Sequence, residues 1–452
     1  MDSKALHIFL RFFCVAVLCI LYYWIGYKLD RTSFWLLFSL YTSAFAASYF
    51  LMQSGVKLKY LIGLSFGLKL IFLFAIPELS QDFYRFIWDG MLTVKGYNPY
   101  LHLPVELMTT TEFNSESFNV LLYDKMGELS ANNYSNYPPV AQFVYAFSWQ
   151  IAGENLLLNI VLLRCFNLIA ELGILIYGLK ILKKINLPKR QILLFILNPL
   201  VIIESTGNLH FEVMMIAFFI LVLYQLSRNK FKTAAVFWSL SALSKLMTLM
   251  FLPLLWAFFR KQNKSFIKSI QTALSFYILV GLCFAGAYFI FWDKAFIGNY
   301  QSSLGLYFNN FEFNASIYYV LRWIGFQFAG YNLIAIFGKA LAIIAFLVIL
   351  WLSFRKRKID LKKLFIHMLW AVTGYYLLST TVHPWYLLLP LVLSVFTTYK
   401  YMLIWSYLVI LSYAAYQTDI VNEKSLLITL QYAIVIVSLS LEIFYPKSLN
   451  RS

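Results

Sequence analysis

The chain has 452 residues, 61% of them hydrophobic and 19% aromatic, and a mean hydropathy of +0.71, which excludes a water-soluble globular protein of this length. Only 13% of residues are charged, yet the net charge is +17. Lys and Arg fall in short clusters between apolar runs rather than along one folded face, which fits the positive-inside bias of a polytopic membrane protein and excludes nucleic acid as a partner. The expectation is an all-α transmembrane bundle forming one domain over 1–452.

Lys4 and Arg11 precede an apolar run to Tyr27 that lacks a small-residue cleavage pattern, so a retained first helix is expected. Further apolar runs lie near 34–52, 60–77, 156–181, 191–205, 210–226, 232–245, 246–259, 268–291, 332–353, 364–380, 384–398, 402–416 and 426–444. Several fall short of the roughly 20 residues that cross a bilayer, so the expected count is 11 to 14 spans with some half-helices or re-entrant pairs. Cys14, Cys19, Cys165 and Cys283 all sit inside apolar runs without C-x-x-C spacing, which points to structural thiols.

The basic clusters are Lys57 and Lys59; Lys183, Lys184, Lys189 and Arg190; Arg228 and Lys230; Arg260, Lys261 and Lys264; and Arg355 to Lys358 with Lys362 and Lys363. They fall in alternate loops, which are therefore expected to be cytoplasmic, as are both termini. Long loops at 78–155 and 293–331 then lie on the extracytoplasmic side, with the tips near Asn208 to His210, Lys245 and His383.

Residues 80–100 read SQDFYRFIWDGMLTVKGYNPY. As a helix, this segment places Asp82, Arg85 and Asp89 on one face and Phe83, Phe86, Ile87 and Met91 on another, so it is expected to lie flat at the membrane surface with its carboxylates toward an aqueous cavity. Further on, Pro138 and Pro139 of NYSNYPPV are placed to start a helix. Arg164, Asn167 and Glu171 share one face of an apolar helix, which must point inward for pairing across the bundle or for substrate contact. Lys245 is a lone lysine between two apolar runs; an unpaired cation at a helix centre costs roughly 2.5–3.5 kcal/mol, so it either snorkels or meets an anion such as a phosphate. In 308–325, Asn309, Asn310, Glu312, Asn314 and Arg322 alternate with aromatics, a pattern suited to a lid, and the sequon at Asn314 is expected to be incidental.

Asp82, Tyr84, Arg85, Trp88, Asp89 and Gly90, followed by Gly96, Asn98, Pro99 and Tyr100, make the pattern D-x-Y-R-x-x-W-D-G…G-x-N-P-Y. With Tyr137-Pro138-Pro139, the run Asn198 to Glu212, Lys245 and His383-Pro384-Trp385-Tyr386, this ordered set resembles the bacterial C-type glycosyltransferases that use polyprenyl-phosphate mannose or related lipid-linked sugars. The resemblance covers most of the chain; Glu212 departs from it, since the family pattern more often has Asp there. It implies an integral protein of the bacterial plasma membrane with an extracytoplasmic active site, a polyprenyl-phosphate sugar donor and a glycan or glycolipid acceptor.

Within that resemblance Asp82 is the expected general base, because transfer to a hydroxyl needs a carboxylate to take its proton; capping of its own helix is the alternative. Arg85, Asp89, Asn98, Tyr137, Asn208, His210, Glu212, Lys245, His383, Trp385 and Tyr386 are the expected substrate contacts. Asp89 stands one turn after Arg85 and is as well suited to orienting it. Trp385 and Tyr386 also suit interfacial anchors. No cofactor is expected: the histidines lack the H-x-x-x-H or acidic spacing of a divalent-metal site. The expected reaction is inverting, with mannose as the leading donor sugar and arabinose, glucose or an aminosugar on the same fold as alternatives. A lipid-saccharide flippase is the rival of another class, but the two related, Gly/Pro-interrupted halves it calls for are not visible in the sequence.

Overall fold

The computed structural model describes residues 3–309, 311–355, 358–418 and 420–445. All regular structure among them is helical apart from one isolated bridge between Phe313 and Thr381. The molecule is an integral membrane protein: Lys4–Tyr27, Phe34–Gln53, Leu156–Lys184, Phe266–Phe289, Ile334–Arg355 and Ser425–Phe444 are each long and apolar enough to cross a bilayer. Lys189–Ile196 and Pro199–Gly207 make a seventh span if a pair bent by 49° counts as one. The other apolar runs are helices too, but short or broken ones, such as Glu212–Leu226, Pro384–Val395 and Tyr401–Tyr416. Counting those runs gives 11 to 14 in sequence; length and composition alone qualify six or seven.

Local chemistry fixes where several helices begin. Asn155, Ser265 and Asp360 each accept a hydrogen bond from the backbone N–H three residues on, closing the starts of Leu156–Lys184, Phe266–Phe289 and Leu361–Leu378. Asn198 caps the Pro199 turn in the same way through Leu200 N, and Pro139 opens Pro139–Ala152 at the expected place.

The basic clusters meet at one end of the bundle. Arg11 donates to Ser54 O, and Arg190 to Met52 O and Val56 O. Lys184 donates to Ser227 O, the rings of Phe231 and Phe259 lie 5.4 Å apart, and Ile359 N donates to Ala257 O. Lys356 and Arg357 of the last cluster lie outside the described residues. The Leu156–Lys184 helix has 29 residues, roughly 43 Å at 1.5 Å each, and its far end leads to the long first loop.

That loop departs from expectation. The helix Asp82–Val94 does not lie flat with one face in lipid: Phe83, Arg85, Phe86, Ile87, Trp88, Asp89, Met91 and Leu92 are all buried. It is held between Ser117–Met126 and Pro139–Ala152, with Phe86 stacked on Tyr145 at 4.7 Å. The loop's own helices supply a cover that the helix by itself would have sought from lipid. Gly90 permits the approach: a Cβ there would collide with the Tyr145 carbonyl oxygen and stand 2.6 Å from its carbon. Backbone cannot rotate out of the way, so Gly90→Ala is expected to force the two helices apart at about 1–3 kcal/mol. A thermal melt of the purified variant in detergent should show a transition several degrees below wild type; coincident melts would refute this packing.

Candidate functional site

The site is built on a break in the helical ladder. Residues Ile202–Gly207 form a π-turn, Leu209 takes a left-handed backbone (φ 63°), and the chain reverses into Glu212–Leu226. The break leaves carbonyls without helical partners in a buried stretch. Arg164 satisfies two of them, its Nε donating to Thr206 O (2.6 Å) and its Nη2 to Gly207 O (3.1 Å), and ties in the 73–75 segment through Nη1 to Leu73 O (2.8 Å) and Nη2 to Ala75 O (2.9 Å). Asn167 Nδ2 donates to Ser205 O (2.7 Å) and His210 O (3.3 Å). Glu171 accepts from Ser205 Oγ (2.5 Å) and pairs with the fully buried Lys69, whose Nζ also donates to Ile196 O (2.9 Å). The inward polar face expected of this helix therefore holds backbone in place. A non-glycine residue in the left-handed region costs about 1–3 kcal/mol, and this network offsets it at Leu209.

The reversal delivers His210 to a cavity of about 910 Å³ that Asp82, Arg85, Tyr137, Glu212, Lys245, His383, Trp385 and Tyr386 also line. Asp82 is the first residue of its helix, one past the N-cap position, which Gln81 holds; its carboxylate is about one-third exposed and its Oδ2 stands 3.8 Å from His210 Nε2. On the other side of the ring, His210 Nδ1 lies 3.0 Å from Glu204 Oε2. A carboxylate only accepts, so Nδ1 carries the proton of that bond. Glu204, fully buried, also accepts from Asn208 Nδ2 (3.0 Å) and Tyr413 Oη (2.8 Å).

Trp385 lies between two imidazoles, with ring centroids 3.7 Å from His210 and 4.4 Å from His383, and Phe313 continues the stack at 4.8 Å from His383. Burial, reinforced by His210, Lys245 and Arg31 nearby, holds the His383 imidazole well below its usual pKa, so the ring is neutral. Its Nδ1 has no hydrogen-bond partner among the described residues.

Lys245 is not isolated. It interrupts the helix at Ser244 in extended backbone, forms an ion pair with Glu212 and lies 4.7 Å over the Tyr386 ring. Its partner sits 33 residues earlier, which is why linear inspection leaves it alone. Glu212 is turned toward this lysine while still lining the cavity.

Three expected contacts lie behind the cavity wall. Asp89 is completely buried, accepting from Arg85 Nε (2.7 Å), Ser135 Oγ (2.5 Å) and Gln142 Nε2 (3.1 Å). Asn98 donates to Phe291 O (2.8 Å) and accepts from Tyr100 N (3.1 Å), tying the two long loops together. Asn208 supports Glu204. None of the three lines the cavity. Arg85 reaches the wall, although Asp89, Ser130 O and Asn133 O engage its guanidinium.

The expected lid is hooked onto the segment that carries His383. Phe313 N donates to Thr380 O (3.0 Å) and Val382 N to Phe313 O (2.8 Å). Asn314, buried at φ 47°, donates through its N–H to Glu423 Oε1 (2.5 Å) and through Nδ2 to Val382 O (3.1 Å). That burial makes the sequon inaccessible. Glu312 pairs with Arg322 and accepts from Tyr318 Oη at 2.6 Å. These residues brace the loop, while Ser303, Leu304, Leu306 and Phe311 face the cavity. Asn310 and the side chain of Asn309 lie outside the described residues.

Sequence inspection overlooked Glu204, Tyr413 and Arg31. Glu204 lies in the same motif as His210, and its position there was the available signal. Arg31, with its guanidinium 3.8 Å over Tyr416, lines the cavity but reads in sequence as a flanking charge between two spans. Among the described residues no group of three or more His, Cys, Asp or Glu is placed to hold a metal ion.

Residues 3–260 match the family model for alpha-(1->6)-mannopyranosyltransferase, N-terminal domain (MptA_B family). That stretch includes Asp82, Glu204, His210, Glu212 and Lys245, but not the His383 segment. No curated protein and no solved structure matches the chain.

The Glu212–Lys245 pair makes a prediction of its own. Lys245→Met leaves a nearly buried carboxylate without its cation, at a cost below the roughly 3–5 kcal/mol of a fully buried pair because Lys245 is 31% exposed. Adding Glu212→Gln removes the orphaned charge. Melting temperatures in detergent are therefore expected to fall in the single variant and recover substantially in the double; equal values for the two would show that the pair contributes nothing.

Proposed function

The chain belongs to the alpha-(1->6)-mannopyranosyltransferase family and is an integral-membrane mannosyltransferase; from that premise we propose that it takes mannose from a polyprenyl-phosphate donor at the extracytoplasmic face and passes it, with inversion, to a hydroxyl of a glycan or lipid-linked acceptor. The observation that carries this reading is the double character of the cavity. Its polar wall includes Asp82, His210 and Lys245, and its other limb is Leu246, Met247, Gly338, Leu341, Ala342, Ala345 and Leu378. Gly338, Leu341, Ala342 and Ala345 belong to the candidate span Ile334–Arg355, which exposes Ile336, Ile343, Phe346 and Leu347 on its outer side. A site that joins an apolar, bilayer-adjacent limb to a polar wall carrying the cations Lys245 and Arg31 suits a substrate with a hydrocarbon tail and a phosphate head. A nucleotide sugar, wholly polar, leaves that limb unused.

In this reading Asp82 takes the acceptor's proton as the new bond forms at the anomeric carbon, through an oxocarbenium-like state. Lys245, and Arg31 across the cavity, meet the charge that stays on the departing phosphate. Arg85, with Asp89 behind it, holds the start of the 133–140 segment against the site. His383 and Trp385, whose ring faces are taken up by stacking on one another and on Phe313 and His210, form a rigid, weakly polar part of the cavity wall beside the site. The basic clusters at the opposite end of the bundle orient the cavity outward.

Purified protein given radiolabelled polyprenyl-phosphate mannose and a mannoside acceptor should transfer label, and GDP-mannose in its place should not; transfer from the nucleotide donor alone would end the lipid-donor reading. Asp82→Asn is expected to lower kcat roughly 100- to 10,000-fold while donor binding persists. Near wild-type turnover in that variant would remove Asp82 from the mechanism.

Orientation is tested separately. Ser115 and Lys358 are both exposed. In intact cells a cysteine at 115 should react with an impermeant thiol reagent and one at 358 should not; the opposite pattern would invert the topology.

A further inference from the structure

His210 is held more firmly than a substrate contact requires. Its Nδ1–H is committed to Glu204, its ring is clamped against Trp385 at 3.7 Å, and its backbone N–H is tied to Glu204 O at 3.0 Å. Its Nε2 is buried, has no hydrogen-bond partner among the described residues and faces Asp82. With Nδ1 carrying a proton, the neutral ring has its lone pair on Nε2, facing a carboxylate that also only accepts. Two such acceptors cannot hydrogen-bond, and 3.8 Å is the separation found. A proton arriving on Asp82 supplies what the pair lacks.

We propose that His210 relays the proton that Asp82 takes from the acceptor, and that Glu204 is the positioning residue that fixes the ring's tautomer and balances its charge. This rests on the reading of Asp82 as the base. The acceptor oxygen bonds to the anomeric carbon, the bond from that carbon to the phosphate oxygen breaks, and its electron pair stays on the phosphate. The acceptor's proton moves to Asp82 and from there to His210 Nε2. The imidazolium so formed lies between two carboxylates, Glu204 and Asp82, and discharges its proton to water in the cavity, restoring both groups. Glu204 can serve because it is locked: Tyr413 and Asn208 hold its oxygens, and it does not line the cavity. The logic is that of a base oriented by a buried acid, with a carboxylate in the place a hydroxyl nucleophile usually occupies. His383, beyond Trp385, and Arg31, Arg85, Glu212, Lys245, Tyr145 and Tyr416 on the cavity wall are among the other charged or titratable groups nearby, and the neutral His383 does not compete for the proton.

The test is a double-mutant cycle on the purified full chain, with kcat and KM measured for polyprenyl-phosphate mannose. His210→Gln is expected to lower kcat about 100-fold and Glu204→Gln about 10-fold, both with KM unchanged. Because Glu204 acts only through His210, the double variant should be no slower than His210→Gln alone. A double variant slower by the product of the two losses would overturn the relay, as would a Glu204→Gln enzyme with wild-type kcat. Should Glu204→Gln fail to fold, Tyr413→Phe removes a single bond to that carboxylate. It should slow wild type a few-fold and leave the His210→Gln enzyme unaffected, and no effect in wild type would refute the assignment. Asp82→Asn separates the two readings: if it is inactive while Glu204→Gln and His210→Gln turn over normally, only the relay fails. If it is active, the base assignment fails and the relay with it.

Discussion

Everything at the cavity depends on one constraint: a helix that breaks inside a membrane protein must find new partners for the backbone it frees. The chain breaks between Ile202 and His210, and one guanidinium, Arg164, donates to four carbonyls from two separate segments. Arg is the residue for this because its donors point in a fixed planar fork, whereas Lys offers a single mobile head. Asn167 and the Lys69–Glu171 pair complete the scaffold. Without them the turn at Leu209 has no reason to persist, and His210 has no fixed direction.

The same economy governs the carboxylates. Asp89, Glu171, Glu204 and Glu212 are buried, and each is matched by donors or a cation. Asp82, by contrast, meets the cavity with no ion pair closer than the 3.8 Å contact to His210 among the described residues. A carboxylate spared from structural duty is free to exchange a proton. Its neighbours are held by stacking: the Phe313, His383, Trp385 and His210 rings form a column that links the second long loop to the broken helix. Aromatic faces suit this task, since stacking fixes the orientation of each ring in the column.

The two long loops close the site from above by different means. The first buries its own helix between two others, using Gly90 for close approach. The second is hooked by backbone bonds between Phe313 and the 380–382 segment and by the buried Asn314. Asn98 and Asn299 cross between them, to Phe291 O and Tyr100 O. The cavity therefore draws its walls from both long loops and from the segments bearing His210, Lys245 and His383, and the Ile334–Arg355 span supplies part of its apolar limb.

Hydropathy and charge order are one-dimensional properties, so the sequence by itself determined the membrane class, the helical fold and the segregation of basic clusters from the segments bearing Asp82, His210, Lys245 and His383. The motif order pointed to the family as well, and the family match over residues 3–260 agrees with it. What the tertiary structure decided is which charges are spent on one another. Glu212 pairs with Lys245 at the cavity wall, Asp89 holds Arg85 from behind it, and Asn98 and Asn208 serve backbone and carboxylate rather than the cavity. The surface helix became an enclosed one for the same reason: its cover comes from segments a few dozen residues away. Pairings of this kind depend on where helices break and how segments distant in sequence pack, and no local pattern of residues encodes that.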